Sequence, residues 1–183
     1  MLKGKILFAE KEGVFVLKFV GDIRLNFGSA INNVLDGICG CKQFTAVVID
    51  LTETTGIDST TLGLLAKVSM RTQEQFGYIP TLVSSCDDID RTLMSMGFDK
   101  VFHIIKDSPD CCQEVSELEL GHISEPEMRQ QVLEAHRVLM DLNENNRETF
   151  QDLVAALSTE EKKHTLQPSD SVSDGLSSKA SGL

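Results

Sequence analysis

Thr45 to Leu51 reads Thr-Ala-Val-Val-Ile-Asp-Leu, a nearly unbroken run rich in β-branched residues. Such a run suits a strand buried on both faces, and strands of that kind belong to sheets joined through crossover helices. The flanking sequence fits. Lys5 to Ala9 and Val14 to Val20 are two β-rich runs separated by Glu10-Lys11-Glu12-Gly13, a hairpin turn, and Gly21-Asp22 closes the second run. Ile31, Val34, Leu35 and Ile38 recur at helical spacing after Gly28. Ser59 to Phe76 is the next helix, with Leu62, Leu65, Ala66, Ser69 and Met70 on one side. Ile79 to Ser84 is a strand, Asp87 to Met96 a helix stopped by Gly97, and Val101 to Ile105 a last strand. The order β-β-α-β-α-β-α-β predicts an α/β fold. Its mixed sheet opens with an antiparallel hairpin and continues in parallel β-α units, with helices packed against it.

The 183 residues divide into three parts. Residues 1–106 carry the alternation, 107–163 are acidic and helix-rich, and 164–183 hold six Ser, two Gly and one Pro. The last part has too little apolar surface to fold and is expected to be disordered. In the middle part, Ser124-Glu125-Pro126-Glu127 is a helix start with a capping box. Met128, Val132, Ala135, Leu139 and Leu142 then follow a heptad-like seam. Asn143-Glu144-Asn145-Asn146 reads as a break, with a second stripe at Phe150, Leu153, Val154 and Leu157. These C-terminal helices either pack back on the core or meet a partner or second copy as a homodimer.

Seventeen basic against 28 acidic residues give a formal net charge of -11. Phosphate neutralisation is unavailable to such a chain, so nucleic acid is excluded as a partner, and an anionic membrane surface likewise. No apolar run approaches the roughly 18–20 residues of a membrane span. Five cysteines at 39, 41, 86, 111 and 112 form neither a disulfide framework nor a zinc spacing. The expectation is a soluble, cytoplasmic protein without cofactor or metal.

Open α/β sheets place their sites beyond the strand ends. There the chain reads Asp50-Leu51-Thr52-Glu53-Thr54-Thr55-Gly56-Ile57-Asp58-Ser59-Thr60-Thr61-Leu62-Gly63, with six Ser or Thr in fourteen positions. Gly56 frees a loop, Asp58 or Ser59 is the helix N-cap, and Asp50 is a structural acceptor for loop N–H groups. A hydroxyl at a helix N-terminus stands beside unpaired N–H groups and tolerates a phosphate. This segment resembles the signature of the STAS domain family, the anti-sigma factor antagonists. Asp50-Leu51-Thr52 stands for the family's Asp-x-Ser, and Ile57-Asp58-Ser59-Thr60 for its apolar-Asp-Ser-Ser/Thr step. Thr61 replaces the usual Gly before Leu62-Gly63 restores the pattern.

The resemblance implies that Ser59 is a phosphorylated serine in a non-catalytic, cytoplasmic partner-switching module. Its partners would be a serine kinase/anti-sigma factor and a serine phosphatase, with ATP and Mg²⁺ belonging to those partners. The contact surface around Ser59 is expected to take in Asp22, Asp50, Thr52, Gly56, Asp58, Thr60, Thr61 and Gly63. Two other readings compete. A phospho-aspartate receiver would use Asp50 and Lys106, but its Mg²⁺-binding acidic pair is missing, since Glu10 and Glu12 lie in the hairpin turn. A small-ligand or lipid sensor could share the scaffold. An enzyme lacks support: there is no nucleophile elbow, phosphate-binding glycine loop or His-Glu-x-x-His, and His103, His122, His136 and His164 are scattered.

Overall fold

The computed structural model describes residues 4–107 and 115–165, with the side chains of 161–165 excepted. Cys111, Cys112 and residues 166–183 of the tail expected at 164–183 lie outside the described residues, while His164 and Thr165 belong to the last helix. Strands β1 (Lys5–Lys11) and β2 (Val14–Ile23) form the opening antiparallel hairpin. The turn is tighter than the expected four residues, because both β runs continue to a two-residue connection. Glu12 and Gly13 there have φ of 53° and 78°, the left-handed pair a two-residue hairpin needs. A Cβ at Gly13 would sit 1.8 Å from the Gln43 carbonyl oxygen, so glycine is required twice over.

After a 3-10 turn at Leu25–Phe27 come α1 (Gly28–Gly40), β3 (Ala46–Ile57) and α2 (Ser59–Phe76). Then follow β4 (Thr81–Val83), α3 (Asp87–Ser95), a 3-10 turn at Phe98–Lys100 and β5 (His103–Ile105). The sheet order is β5-β4-β3-β2-β1-β6, with β2 to β5 parallel as the alternation predicts. The sixth strand, β6 (Ser116–Glu117), lies in the segment read as helical. It pairs antiparallel with β1, and Leu118 N–H donates to the Ile6 carbonyl at 2.8 Å. The physical reason is the open edge of β1, whose backbone groups take a partner wherever a neighbouring segment passes.

Alternate residues of β2 and β3 (Phe15, Leu17, Phe19; Val47, Ile49, Leu51) are buried in one core with Ile31, Leu35 and Ile38 of α1 and Leu62 and Leu65 of α2. This is the period-two pattern of a strand meeting the period of a helix.

The C-terminal helices are α4 (Glu125–Leu142) and α5 (Glu144–Thr165), broken at the expected asparagine-rich turn. The Ser124/Glu127 capping box is formed. Glu127's carboxyl is held below its ordinary value by the Ser124 hydroxyl, then the Ser124 N–H. Of the two fates left open for these helices, the chain takes the first. Helix α4 packs on α2, and α5 packs on α4. The buried residues of α4 are Leu133, Ala135, His136 and Leu139, so Ala135 and Leu139 of the expected seam pack within the chain, joined by Leu133 and His136. Of the second stripe, Phe150 is buried while Leu153 is 41% exposed.

Candidate functional site

The expected loop after Leu51 is a strand. β3 continues to Ile57 because its second half pairs with the second half of β2: Val20 with Glu53, Gly21 with Thr54, Asp22 with Gly56 and Ile23 with Ile57. Correspondingly, β2 does not close at Gly21-Asp22. The register shifts twice, between Lys18 and Val20 and between Gly21 and Asp22. Each shift gives β3 one extra residue, which bends the strand and re-aims the side chains that follow.

Asp58 is the N-cap of α2. Its Oδ1 accepts from Thr61 N–H at 2.8 Å, and its Oδ2 accepts from Leu25 N–H at 2.7 Å. One carboxylate thus caps the helix and ties it to the chain leaving β2. Beside it, Asp22 Oδ2 accepts from Arg24 Nε at 2.9 Å. A Cβ at Gly56 would approach Asp22 Oδ1 to 2.5 Å, so glycine leaves room for that carboxylate. Asp22, Gly56, Asp58 and Ser59 therefore share one corner, at the C-terminal ends of β2 and β3.

Asp50 and Thr52 stand elsewhere. By the strand alternation they project to the opposite side of the sheet from Ile49 and Leu51. Asp50 Oδ1 accepts from Thr52 N–H at 2.8 Å and Thr52 Oγ1 at 2.6 Å, which is the structural-acceptor role read from the sequence. What it shapes is the strand, not a loop at Ser59. Lys18 Nζ lies 2.6 Å from Glu53 Oε1 and 4.0 Å from Asp50 Oδ2. Its ammonium is held above the ordinary lysine value, chiefly by the Glu53 hydrogen bond and then by the two negative charges, against the cost of burial.

The receiver reading fails on geometry. Lys106 pairs with Asp90, Asp50 sits mid-strand, and Glu10 on β1 and Glu12 in the turn lie at the opposite end of β2 from Asp58. No acidic cluster fit for a metal ion occurs among the described residues.

Ser59 opens α2, but it is half-buried. Its Oγ lies 2.9 Å from His136 Nε2 on α4. His136 Nδ1 is 2.7 Å from the Val132 carbonyl. A carbonyl only accepts, so Nδ1 donates to it, and Nε2 shares the other hydrogen bond with the Ser59 hydroxyl. Phe150 meets the ring edge-on at 4.8 Å, and His136 is 2% exposed. The hydroxyl–imidazole order matches that of a base-activated nucleophile. Here the ring is buried beneath Phe150 of α5, and the pair makes a hydrogen-bond latch between α2 and α4.

Thr60 and Thr61 are buried, and so is Gly63, whose added Cβ would stand 2.2 Å from the Ala135 carbonyl oxygen. These three expected surface residues thus lie inside the fold, Gly63 directly under α4. The sequence reading also missed His136 as Ser59's neighbour. The one available signal was the absence of any charge from Ser59 to Ala66. Two helix turns without a charge on any side are covered on more than one side.

A mixed sheet with an opening hairpin, parallel crossovers and a capped hydroxyl-bearing helix start at the strand ends defines a STAS-type domain. The STAS domain family model matches residues 5–111, and the chain belongs to that family. Similar solved structures include an anti-sigma factor antagonist from Mycobacterium paratuberculosis, at 22% identity and TM-score 0.47, covering 56% of this chain and 85% of that one. Another is the anti-sigma factor antagonist SpoIIAA in its unphosphorylated form, at 13% identity and TM-score 0.47, covering 57% of this chain and 89% of that one. No curated protein sequence matches. No helix among the described residues is long and apolar enough to cross a membrane.

Proposed function

We propose that this chain is a non-catalytic partner-switching regulator of the anti-sigma factor antagonist kind, acting in the cytoplasm, with Ser59 as its phosphoacceptor. Unphosphorylated, it binds a serine kinase/anti-sigma factor and frees that protein's other client. Phosphorylated, it lets go, and a serine phosphatase restores binding. The observation that carries this reading is the position of Ser59 at the first residue of α2, directly after the Asp58 cap and beside Asp22 and Gly56.

Phosphate at such a place is tolerated by the helix N-terminus. It adds about -1.5 to -2 charges. Asp58 and Asp22 are adjacent, and the chain carries -11 already. Desolvating the phosphate there against a partner need cost only about 3 kcal/mol to lower affinity roughly a hundredfold. No rearrangement within the β-sheet domain is needed for the loss of affinity. Capture of partners from host lysate by the S59A and S59D chains tests it. S59A retains the kinase, S59D loses it, and equal capture by both removes the basis for the scheme.

A further inference from the structure

The family match ends at residue 111, and the α4–α5 hairpin is chain added beyond it. This addition crosses α2 at the very turn that bears Ser59. Three contacts mark the crossing. Ser59 Oγ meets His136 Nε2 at 2.9 Å, Gly63 lies against the Ala135 backbone, and Lys67 Nζ meets Glu134 Oε2 at 3.0 Å. At its far end the hairpin is bolted to the core. Asn146 Nδ2 donates to the Met96 carbonyl at 2.9 Å and the Leu139 carbonyl at 2.8 Å, and Lys100 Nζ donates to the Leu142 carbonyl at 3.3 Å. Phe150 of α5 closes over the His136 ring.

We infer that the α4–α5 hairpin is an autoinhibitory lid over the switch serine. The inference rests on Ser59 being the phosphoacceptor proposed above. In the closed chain the Ser59 hydroxyl is engaged by a buried imidazole, and the N-terminal half of α2 has α4 where a partner would dock. Neither a kinase nor a binding partner reaches this surface until the hairpin lifts.

Modification and closure also exclude each other. In phosphoryl transfer from a nucleoside triphosphate on the kinase, the Oγ–H proton passes to a base on the kinase. An Oγ–P bond forms as the bond to the departing nucleoside diphosphate breaks. The Ser59 hydroxyl that faces His136 Nε2 is then gone, and a dianion with three oxygens must fit where the buried ring stands. Phosphorylated Ser59 therefore holds the lid open. A partner for the unmodified chain must displace the lid itself, and its apparent affinity is reduced by the fraction of chains that are open.

Full-length chain carrying phosphoserine at 59, placed by nonsense suppression, is compared with unmodified chain by hydrogen exchange and mass spectrometry. The amides of 125–142 should exchange about tenfold faster or more in the phosphorylated chain, while those of 47–51 stay unchanged. Equal or slower exchange in α4, as when the phosphate pairs with a protonated imidazole and seals the lid, overturns the inference. A second arm measures N-ethylmaleimide labelling at position 59 in S59C and S59C/A135R. A charge at the wholly buried Ala135 should expel the hairpin and speed labelling about tenfold or more; equal rates overturn it. Should A135R also loosen 47–51, the phosphoserine arm decides alone. Neither arm uses a kinase or partner. Failure of the lid therefore reads apart from failure of the phosphorylation scheme, which host phosphorylation of Ser59 decides.

Discussion

Gly63→Ala is a substitution whose sign is diagnostic. In an exposed helix interior this change stabilises by roughly 1 kcal/mol, because glycine is the poorer helix former. At Gly63 the new Cβ would meet the Ala135 carbonyl oxygen at 2.2 Å, its carbonyl carbon at 2.6 Å and its Cα at 2.8 Å. All three are backbone atoms, so no side chain can rotate away and α4 as a whole must shift. Overpacking of this kind typically costs about 1–3 kcal/mol. After the helix-propensity gain the net expectation is a loss of up to about 2 kcal/mol. For a chain of this size that is a Tm lower by up to roughly 8 °C. Calorimetry measures the shift, and hydrogen exchange locates it, with faster exchange confined to 125–142 and the sheet unaffected. A Gly63→Ala chain that melts higher than the parent, with α4 equally protected, would refute the close crossing of α2 and α4 on which the lid depends.

Other expectations follow from single contacts. Asp58→Ala strips acceptors from the Thr61 and Leu25 N–H groups and should cost about 1–2 kcal/mol in chemical denaturation, with Asp58→Asn costing less. Asn146→Ala leaves the Met96 and Leu139 carbonyls without their buried donor and should cost about 1–3 kcal/mol, appearing first as faster exchange at the α4–α5 turn. Glu53→Gln removes the main reason Lys18 is held above its ordinary value near 10.5. A raised lysine pKa contributes stability that is present below the ordinary value and lost as pH rises through the raised one. The parent should therefore lose more stability than Glu53→Gln on titration above pH 10.5, by less than about 1 kcal/mol because Lys18 is partly solvated. Equal alkaline slopes would show the pair to be inert.

The order of elements was legible because each run carries its own period. Val14 to Val20 alternates, Ile31 to Ile38 recurs at helical spacing, and Val47 to Leu51 is apolar except at Asp50. What sequence could not supply was non-local. Thr52 to Gly56 has the composition of a loop and becomes strand only because β2 runs beside it. Ser116 and Glu117 are strand only because β1 has an open edge. Ser59 and Asp58 were readable as a helix start from local capping chemistry. The latch was not, since His136 lies 77 residues away and reaches Ser59 through the packing of two helices. The helical seam was likewise read with Met128, Val132 and Leu142, whereas the face that α2 meets is centred on Ala135 and takes in Leu133 and His136.

The central claim is that the charge state of one hydroxyl decides association. Phosphopeptide mapping of chain purified from its native host, under conditions that do and do not trigger the response, addresses it most directly. The account predicts a phosphate on Ser59 whose occupancy changes between the two conditions and falls as the co-purifying kinase rises. A Ser59 that is unmodified under both, with the same proteins co-purifying whether position 59 is Ser or Ala, would contradict it.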